Sequence, residues 1–312
     1  MWQRSDAARR PGPAGAAWVW LALAWLALVC ALCNAARAQT PGPVGAPSGQ
    51  WREQIHWVPM QDASGRTHLL YTRICRSVGD QPARVAVINH GKPPDAALPM
   101  VKPADCTNEA IQWFLTRGYL VVLGIRRGYG ETGGDFAERS GTCSAADLVH
   151  AAQEGARDVD ALLRYAIALP YTRPDHVTVV GQSLGGWVTN GYNSVPHPHV
   201  TAMVSMAGGH GGHIHGIANN NCRPDQLAVA AGILGKTAVT PMLWIYTEND
   251  SFFAPQLAKS LYDAFAASGG TAEFHQLPSF AKDGHALFFG AGGSAVWGPI
   301  MQAYLTRMQT AR

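Results

Sequence analysis

The chain has 312 residues, with 24 Lys and Arg against 21 Asp and Glu, a formal net charge of +3. Only 14% of residues are charged while 47% are hydrophobic, which excludes a disordered chain. A nearly balanced charge with no long basic run gives no support to a nucleic-acid partner.

The N-terminus reads as an export signal. Arg4, Arg9 and Arg10 precede an uncharged stretch whose residues 17–29 are apolar, and Ala36-Arg37-Ala38 supplies a small-x-small cleavage pattern. Residues 1–38 are therefore expected to be a signal peptide and the protein to be exported, periplasmic or secreted. No stable membrane insertion is expected after cleavage. The apolar run is also long enough to serve as an uncleaved N-terminal membrane anchor, which is the alternative. The leader holds four arginines and one aspartate, so the remainder is neutral by count. Residues 39–50 are rich in proline and glycine and are expected to be a flexible linker, followed by a single domain over 51–312. Cys75, Cys106, Cys143 and Cys222 lie beyond the leader. An even number in an exported chain is consistent with two disulfides, in any of three pairings, and none has zinc-ligand spacing.

Strands are predicted at 54–59, 68–76, 84–89, 119–125, 176–181, 200–206, 241–247 and 272–277. Helices are predicted near 107–117, 145–168, from 184, and near 224–234, 255–267 and 296–309. Five of the strands, at 84–89, 119–125, 176–181, 200–206 and 241–247, are short and apolar with weak alternation, as strands buried on both faces are. Helical patterns separate most of them. This predicts an α/β fold with a mostly parallel central sheet flanked by helices and an antiparallel edge at its start. The interval between 206 and 241 leaves room for a small cap or none.

The strand ending in Val180 runs directly into Gly181-Gln182-Ser183-Leu184-Gly185 and then a helical pattern. A serine at a sharp strand-to-helix turn needs small neighbours and presents its hydroxyl at the apex, where the first helical N–H groups also point. Ser183 is the expected nucleophile. A serine needs a base, and the base an orienting group. At the carboxyl end of the strand over 241–247, Asp250 is preferred to Glu248 as that group, because the later position leaves length for the loop to bend. Beyond the strand at 272–277, His285 follows Gly284 and is the expected base, with Asp283 read as a turn residue. The order Ser183, Asp250, His285 suits this topology. After the strand at 84–89, His90-Gly91-Lys92 is expected to supply the Lys92 N–H which, with the Leu184 N–H, forms an oxyanion hole. Arg127 and Tyr129, in the loop after 119–125, are placed either to face substrate or to hold the loop. His210 lies in the glycine-rich segment after 200–206, read as a pocket wall. A metal site at His210, His213 and His215 is the weaker alternative for that segment.

The elbow, the His-Gly loop, Asp250 and His285 together resemble the α/β-hydrolase superfamily across most of residues 52–312. Arg126–Gly130, Asn219–Cys222 and Glu248–Phe253 look like the corresponding segments of exported bacterial hydrolases related to dienelactone hydrolases and prolyl-oligopeptidase-like enzymes. That resemblance implies a serine hydrolase with no metal or organic cofactor. It places nucleophile, acid and base on Ser183, Asp250 and His285. It also implies pairing of Cys143 with Cys222, which leaves Cys75 with Cys106. True dienelactone hydrolases carry a cysteine nucleophile, and Ser183 departs from them. The expected substrate is a small-molecule ester cleaved through an acyl-enzyme. A short peptide attacked by an exo-acting serine peptidase is the alternative, and a non-catalytic binding protein on the same scaffold a more distant one.

Overall fold

A computed structural model describes residues 39–79 and 81–310. The segment expected to be a signal peptide lies outside the described residues. Five central strands carry side chains that alternate between two apolar layers. These are β4 (Arg84–Asn89), β5 (Tyr119–Gly124), β6 (Val177–Gln182), β7 (Val200–Met206) and β8 (Met242–Thr247). Val85 and Val87 of β4 enter one core while Ala86 and Ile88 enter the other; Leu120 and Val122 of β5 oppose Val121 and Leu123 in the same way. Because both faces are covered, the strands read as continuous hydrophobic runs with little visible alternation. Each valine or leucine so buried contributes roughly 1.5–3 kcal/mol.

With β1 (Gly42–Ser48), β2 (Glu53–Gln61), β3 (Thr67–Cys75) and β9 (Ala272–Leu277), the strands form one sheet in the order β1-β2-β3-β5-β4-β6-β7-β8-β9. Pairing is antiparallel from β1 through β3 to β5 and parallel from β5 through β9. Helices α1 (Glu109–Leu115) and α6 (Gly293–Thr310) cover one face. The other carries α2 (Leu148–Ile167), α3 (Leu184–Tyr192), α4 (Pro224–Lys236) and α5 (Pro255–Ala267).

The linker expected over 39–50 is corrected by the structure. Residues 42–48 pair with β2 in the register Gly42 to Trp57 and Val44 to Ile55. Proline at 43 and 47 is tolerated because β1 is an edge strand, where a missing N–H costs no ladder bond on the open side. Two disulfides join Cys75 to Cys106 and Cys143 to Cys222. The first ties the end of β3 to the approach to α1. The second ties the segment before α2 to the end of the loop that follows β7.

Candidate active site

Between β6 and α3 stands one residue, Ser183, in a left-handed conformation with φ 57° and ψ −125°. A non-glycine residue in such a conformation is strained and persists only where its surroundings over-determine it. Here the Ser183 N–H donates to Met206 O at 3.0 Å, while its carbonyl accepts from Trp187 N–H and Gly209 N–H. The two flanking glycines have steric reasons. A Cβ at 181 would strike the Gly185 carbonyl, and one at 185 would lie 2.5 Å from Asn89 O and 2.6 Å from His90 O. The elbow and the loop after β4 are thus in direct backbone contact.

That loop is held by its own histidine. The Arg126 N–H donates to His90 Nε2 at 3.3 Å, which leaves the ring proton on Nδ1, donated to Gly91 O at 2.7 Å. Arg126 Nη1 donates in turn to His90 O at 2.9 Å. Burial and the adjacent guanidinium hold His90 well below the ordinary histidine value, so it braces as a neutral ring. Beyond it, the Lys92 N–H donates to no other described residue, and neither does the Leu184 N–H at the first position of α3. The Lys92 ammonium is engaged with Asp95.

On the other side of Ser183, the loop after β8 turns Asp250 inward. The carboxylate is 1% exposed, and its Oδ1 accepts from the Phe252 N–H at 2.8 Å and the Phe253 N–H at 3.0 Å. His285 Nδ1 donates to the same group, 3.0 Å from Oδ1 and 3.1 Å from Oδ2. With the proton on Nδ1, Nε2 is left with a free lone pair. Glu248, the competing carboxylate, is exposed to solvent. Phe252 stacks on the imidazole with ring centres 4.1 Å apart.

Ser183 and His285 line one cavity of about 380 Å³, together with Ile88, Leu123, Ile125 and Phe289 among others. Ser183 Oγ forms no hydrogen bond to another described residue in this conformation. Catalytic contacts of this kind often close only around a bound substrate. A second cleft of about 560 Å³ meets the first at Ser183, Lys92, Pro93 and Phe252, and His210 lies on its wall. Burial holds the His210 imidazole down at about 4, so it is a neutral polar surface at ordinary pH.

Of the two readings given for Arg127 and Tyr129, facing substrate or holding the loop, the first is corrected and the second is what the structure has. Arg127 is 5% exposed and committed to Asp158, its N–H donating to Oδ2 at 2.7 Å and its Nε to Oδ1 at 2.6 Å. Tyr129 is fully buried and donates its hydroxyl to Glu138 at 2.8 Å. Glu138 also receives the buried Arg126 guanidinium. These contacts hold the loop after β5 to itself and to α2, and neither Arg127 nor Tyr129 lines the cavity. Among the described residues no three His, Cys, Asp or Glu side chains are grouped to hold a metal ion. His213 is instead directed at Ser251.

Sequence reasoning passed over two residues at the site. Gln182, a variable position of the elbow pentapeptide, donates its side-chain amide to His285 O at 3.0 Å. Phe252 was visible only as part of an apolar pair after Asp250; nothing in its spacing says that the ring turns toward the imidazole.

A strained serine between a parallel strand and a helix, near a buried histidine–carboxylate pair at the strand ends, defines an α/β-hydrolase. The model of the dienelactone hydrolase family matches residues 101–295, and the chain belongs to that family. Among solved structures it is similar to an acetyl xylan esterase from a Paenibacillus species, at 15% identity and a TM-score of 0.59, covering 85% of this chain and 88% of that one. An esterase from Pyrococcus furiosus superposes at 12% identity and a TM-score of 0.54, over 87% and 99% of the two chains. The acylaminoacyl peptidase of Pyrococcus horikoshii matches at 15% identity and a TM-score of 0.59 over 84% of this chain, but over only 42% of its own length. At these identities the likeness is one of fold. No curated protein matches the sequence.

Proposed function

We propose that the protein is an exported serine hydrolase that cleaves carboxylic esters through an acyl-enzyme, with Ser183, His285 and Asp250 as nucleophile, base and orienting acid. The observation that carries this reading is the Asp250–His285 pair, whose Nδ1 contact leaves Nε2 free beside the cavity that Ser183 also lines. In the first half-reaction Ser183 Oγ attacks the ester carbonyl as its proton passes to His285 Nε2, and the Lys92 and Leu184 N–H groups receive the oxyanion. Asp250 steadies the imidazolium. The intermediate collapses as the imidazolium gives its proton to the departing alcohol. Water, deprotonated by the same imidazole, then attacks the acyl-serine, and the imidazolium returns that proton to Ser183 Oγ as the acid leaves. A small-molecule ester or short peptide fits the size of the two clefts, and no cofactor enters any of these steps.

Two disulfides support export. No helix among the described residues is long and apolar enough to cross a membrane. The fold shared with an acylaminoacyl peptidase supports a second reading, amide cleavage at a chain end. Turnover of aryl acetates compared with aminoacyl anilides separates the two: the ester reading expects the acetates to dominate kcat/KM. Ser183→Ala is expected to lower ester turnover by a factor on the order of a million. Undiminished turnover by that variant rejects the assignment.

A further inference from the structure

Two residues of the acid loop touch the base, and the one between them is tied to the loop that carries it. Asp250 binds the imidazole Nδ1, and Phe252 lies on the ring face. Ser251, between them, points the other way and reaches Asp283. Its N–H donates to Asp283 Oδ1 at 3.1 Å and its hydroxyl to Oδ2 at 2.6 Å. The same Oδ1 accepts the His285 main-chain N–H at 3.0 Å. One carboxylate therefore fastens the main chain that carries the base to the main chain that carries the orienting acid.

The fastening continues outward. His213 Nε2 donates toward Ser251 O at 2.8 Å, with Ser251 Oγ at 3.0 Å, and its ring lies flat on Phe252 with centres 3.7 Å apart and planes 3° apart. Phe252 is thus held between two imidazoles, His213 outside and His285 inside. A carboxylate serving only as a turn cap would need just the His285 N–H; the two bonds from Ser251 serve no turn.

We propose that Asp283 is a positioning residue for His285, acting through Ser251 and backed by His213, that sets the imidazole against Asp250 and Ser183. The inference rests on the serine-hydrolase reading above. Burial works to raise the Asp283 carboxyl, but the bonds from Ser251 and the His285 amide outweigh it and hold the group below the usual carboxylate range. It therefore also places a fixed negative charge near the imidazolium that forms during turnover. The titratable and charged groups around that ring are few. Asp250 faces it from the loop after β8, Asp283 from its own loop, His213 from beyond Phe252 on the loop after β7, and Lys92 from the loop after β4 across the cavity.

The test is steady-state kinetics on an aryl acetate for the full chain, Asp283→Asn, Ser251→Ala and the double variant, with melting temperatures alongside. Asp283→Asn keeps the shape but loses the charge and the acceptor for the Ser251 hydroxyl. It is expected to lower kcat about tenfold or more while KM changes little, as misplacement of a reacting group does. The acid limb of its pH–rate profile is expected to move to lower pH, because a negative charge beside the imidazolium is gone. Ser251→Ala is expected to act in the same direction and more weakly, and the double variant to fall well short of the product of the two effects. A folded Asp283→Asn protein with unchanged kcat and pH profile overturns the proposal. So does a loss that follows the melting temperature and disappears on cooling. If Asp283→Asn does not fold, Ser251→Ala decides by the same readouts. A wild-type protein that neither turns over esters nor reacts with a fluorophosphonate at Ser183 overturns the hydrolase reading, and this assignment with it. A fully active wild type with an indifferent Asp283→Asn variant overturns this assignment alone.

Discussion

Gln182 and His285 are joined across the end of the sheet: the Gln182 side-chain amide donates to the His285 carbonyl at 3.0 Å. The residue immediately before the strained serine therefore grips the loop of the proposed base from the nucleophile's side. Asp283 grips the same loop from the acid's side. Gln182→Ala is expected to lower kcat for an aryl ester by about tenfold with a small change in melting temperature. Steady-state kinetics and thermal unfolding of the same preparation check it. A variant with wild-type kcat would show that the base loop needs no hold from β6.

The contact between the elbow and the loop after β4 leaves no room for a side chain at 185. Gly185→Ala pushes a methyl group against the Asn89 and His90 carbonyls, both backbone atoms that cannot rotate away. The expected cost is about 1–3 kcal/mol of stability, with displacement of the Lys92 N–H and a disproportionate fall in kcat. Denaturant unfolding and ester kinetics measure the two effects separately.

The Cys143–Cys222 bond closes a loop of 79 residues in sequence. Its far end anchors the segment that touches the acid loop: Asn219 N–H donates to Ser251 O at 2.7 Å and the Asn221 side chain to Phe252 O at 2.7 Å. Replacing both cysteines by serine is expected to cost up to roughly 4 kcal/mol from chain entropy and to slow turnover as well. The same exchange at Cys75 and Cys106, which bind β3 to the approach to α1, is expected to cost stability with less effect on kcat per unit of stability lost. Unfolding midpoints and kcat for the two double variants distinguish these outcomes.

Burial holds His56 at about 4, below its ordinary value of 6.5. It sits inside β2 with Nδ1 bonded to the Tyr165 hydroxyl at 2.8 Å. Between those two pH values the unfolded chain binds more protons than the folded one, so stability rises with pH through the window and is lost as pH falls through it. His210 acts in the same direction for the same reason. His56→Gln is expected to flatten the acid side of the stability curve by on the order of 1 kcal/mol between pH 7 and pH 5. Urea unfolding of both proteins at the two pH values measures it.

Much of the architecture was legible because the buried strands announce themselves. The predicted strand over 84–89 coincides with β4, and that over 200–206 with β7. An α/β fold with a mostly parallel sheet followed from helical patterns between them, and the hydrolase fold from the resemblance carried by the elbow, the His-Gly loop, Asp250 and His285. The edge was not legible: residues 42–48 have the composition of a linker, yet the open rim of β2 gives their backbone a partner that composition does not encode. At the candidate site, the sharp turn at Ser183 was readable because positions 181 and 185 must be glycine, a constraint visible in one dimension. Arg127 and Tyr129 were only half-read, since nothing in the sequence pairs them with Asp158 and Glu138, 31 and 9 residues away. Gln182 and Ser251 are hydrogen-bonded to partners 103 and 32 residues distant, and only the folded chain brings those together.

The most direct measurement is the mass of the intact protein after brief exposure to a fluorophosphonate, with the modified peptide sequenced. A single stoichiometric adduct on Ser183 is predicted, blocked by prior incubation with a good ester substrate and absent from Ser183→Ala. An unmodified protein that nonetheless hydrolyses esters, or an adduct on any other residue that abolishes turnover, would contradict the account.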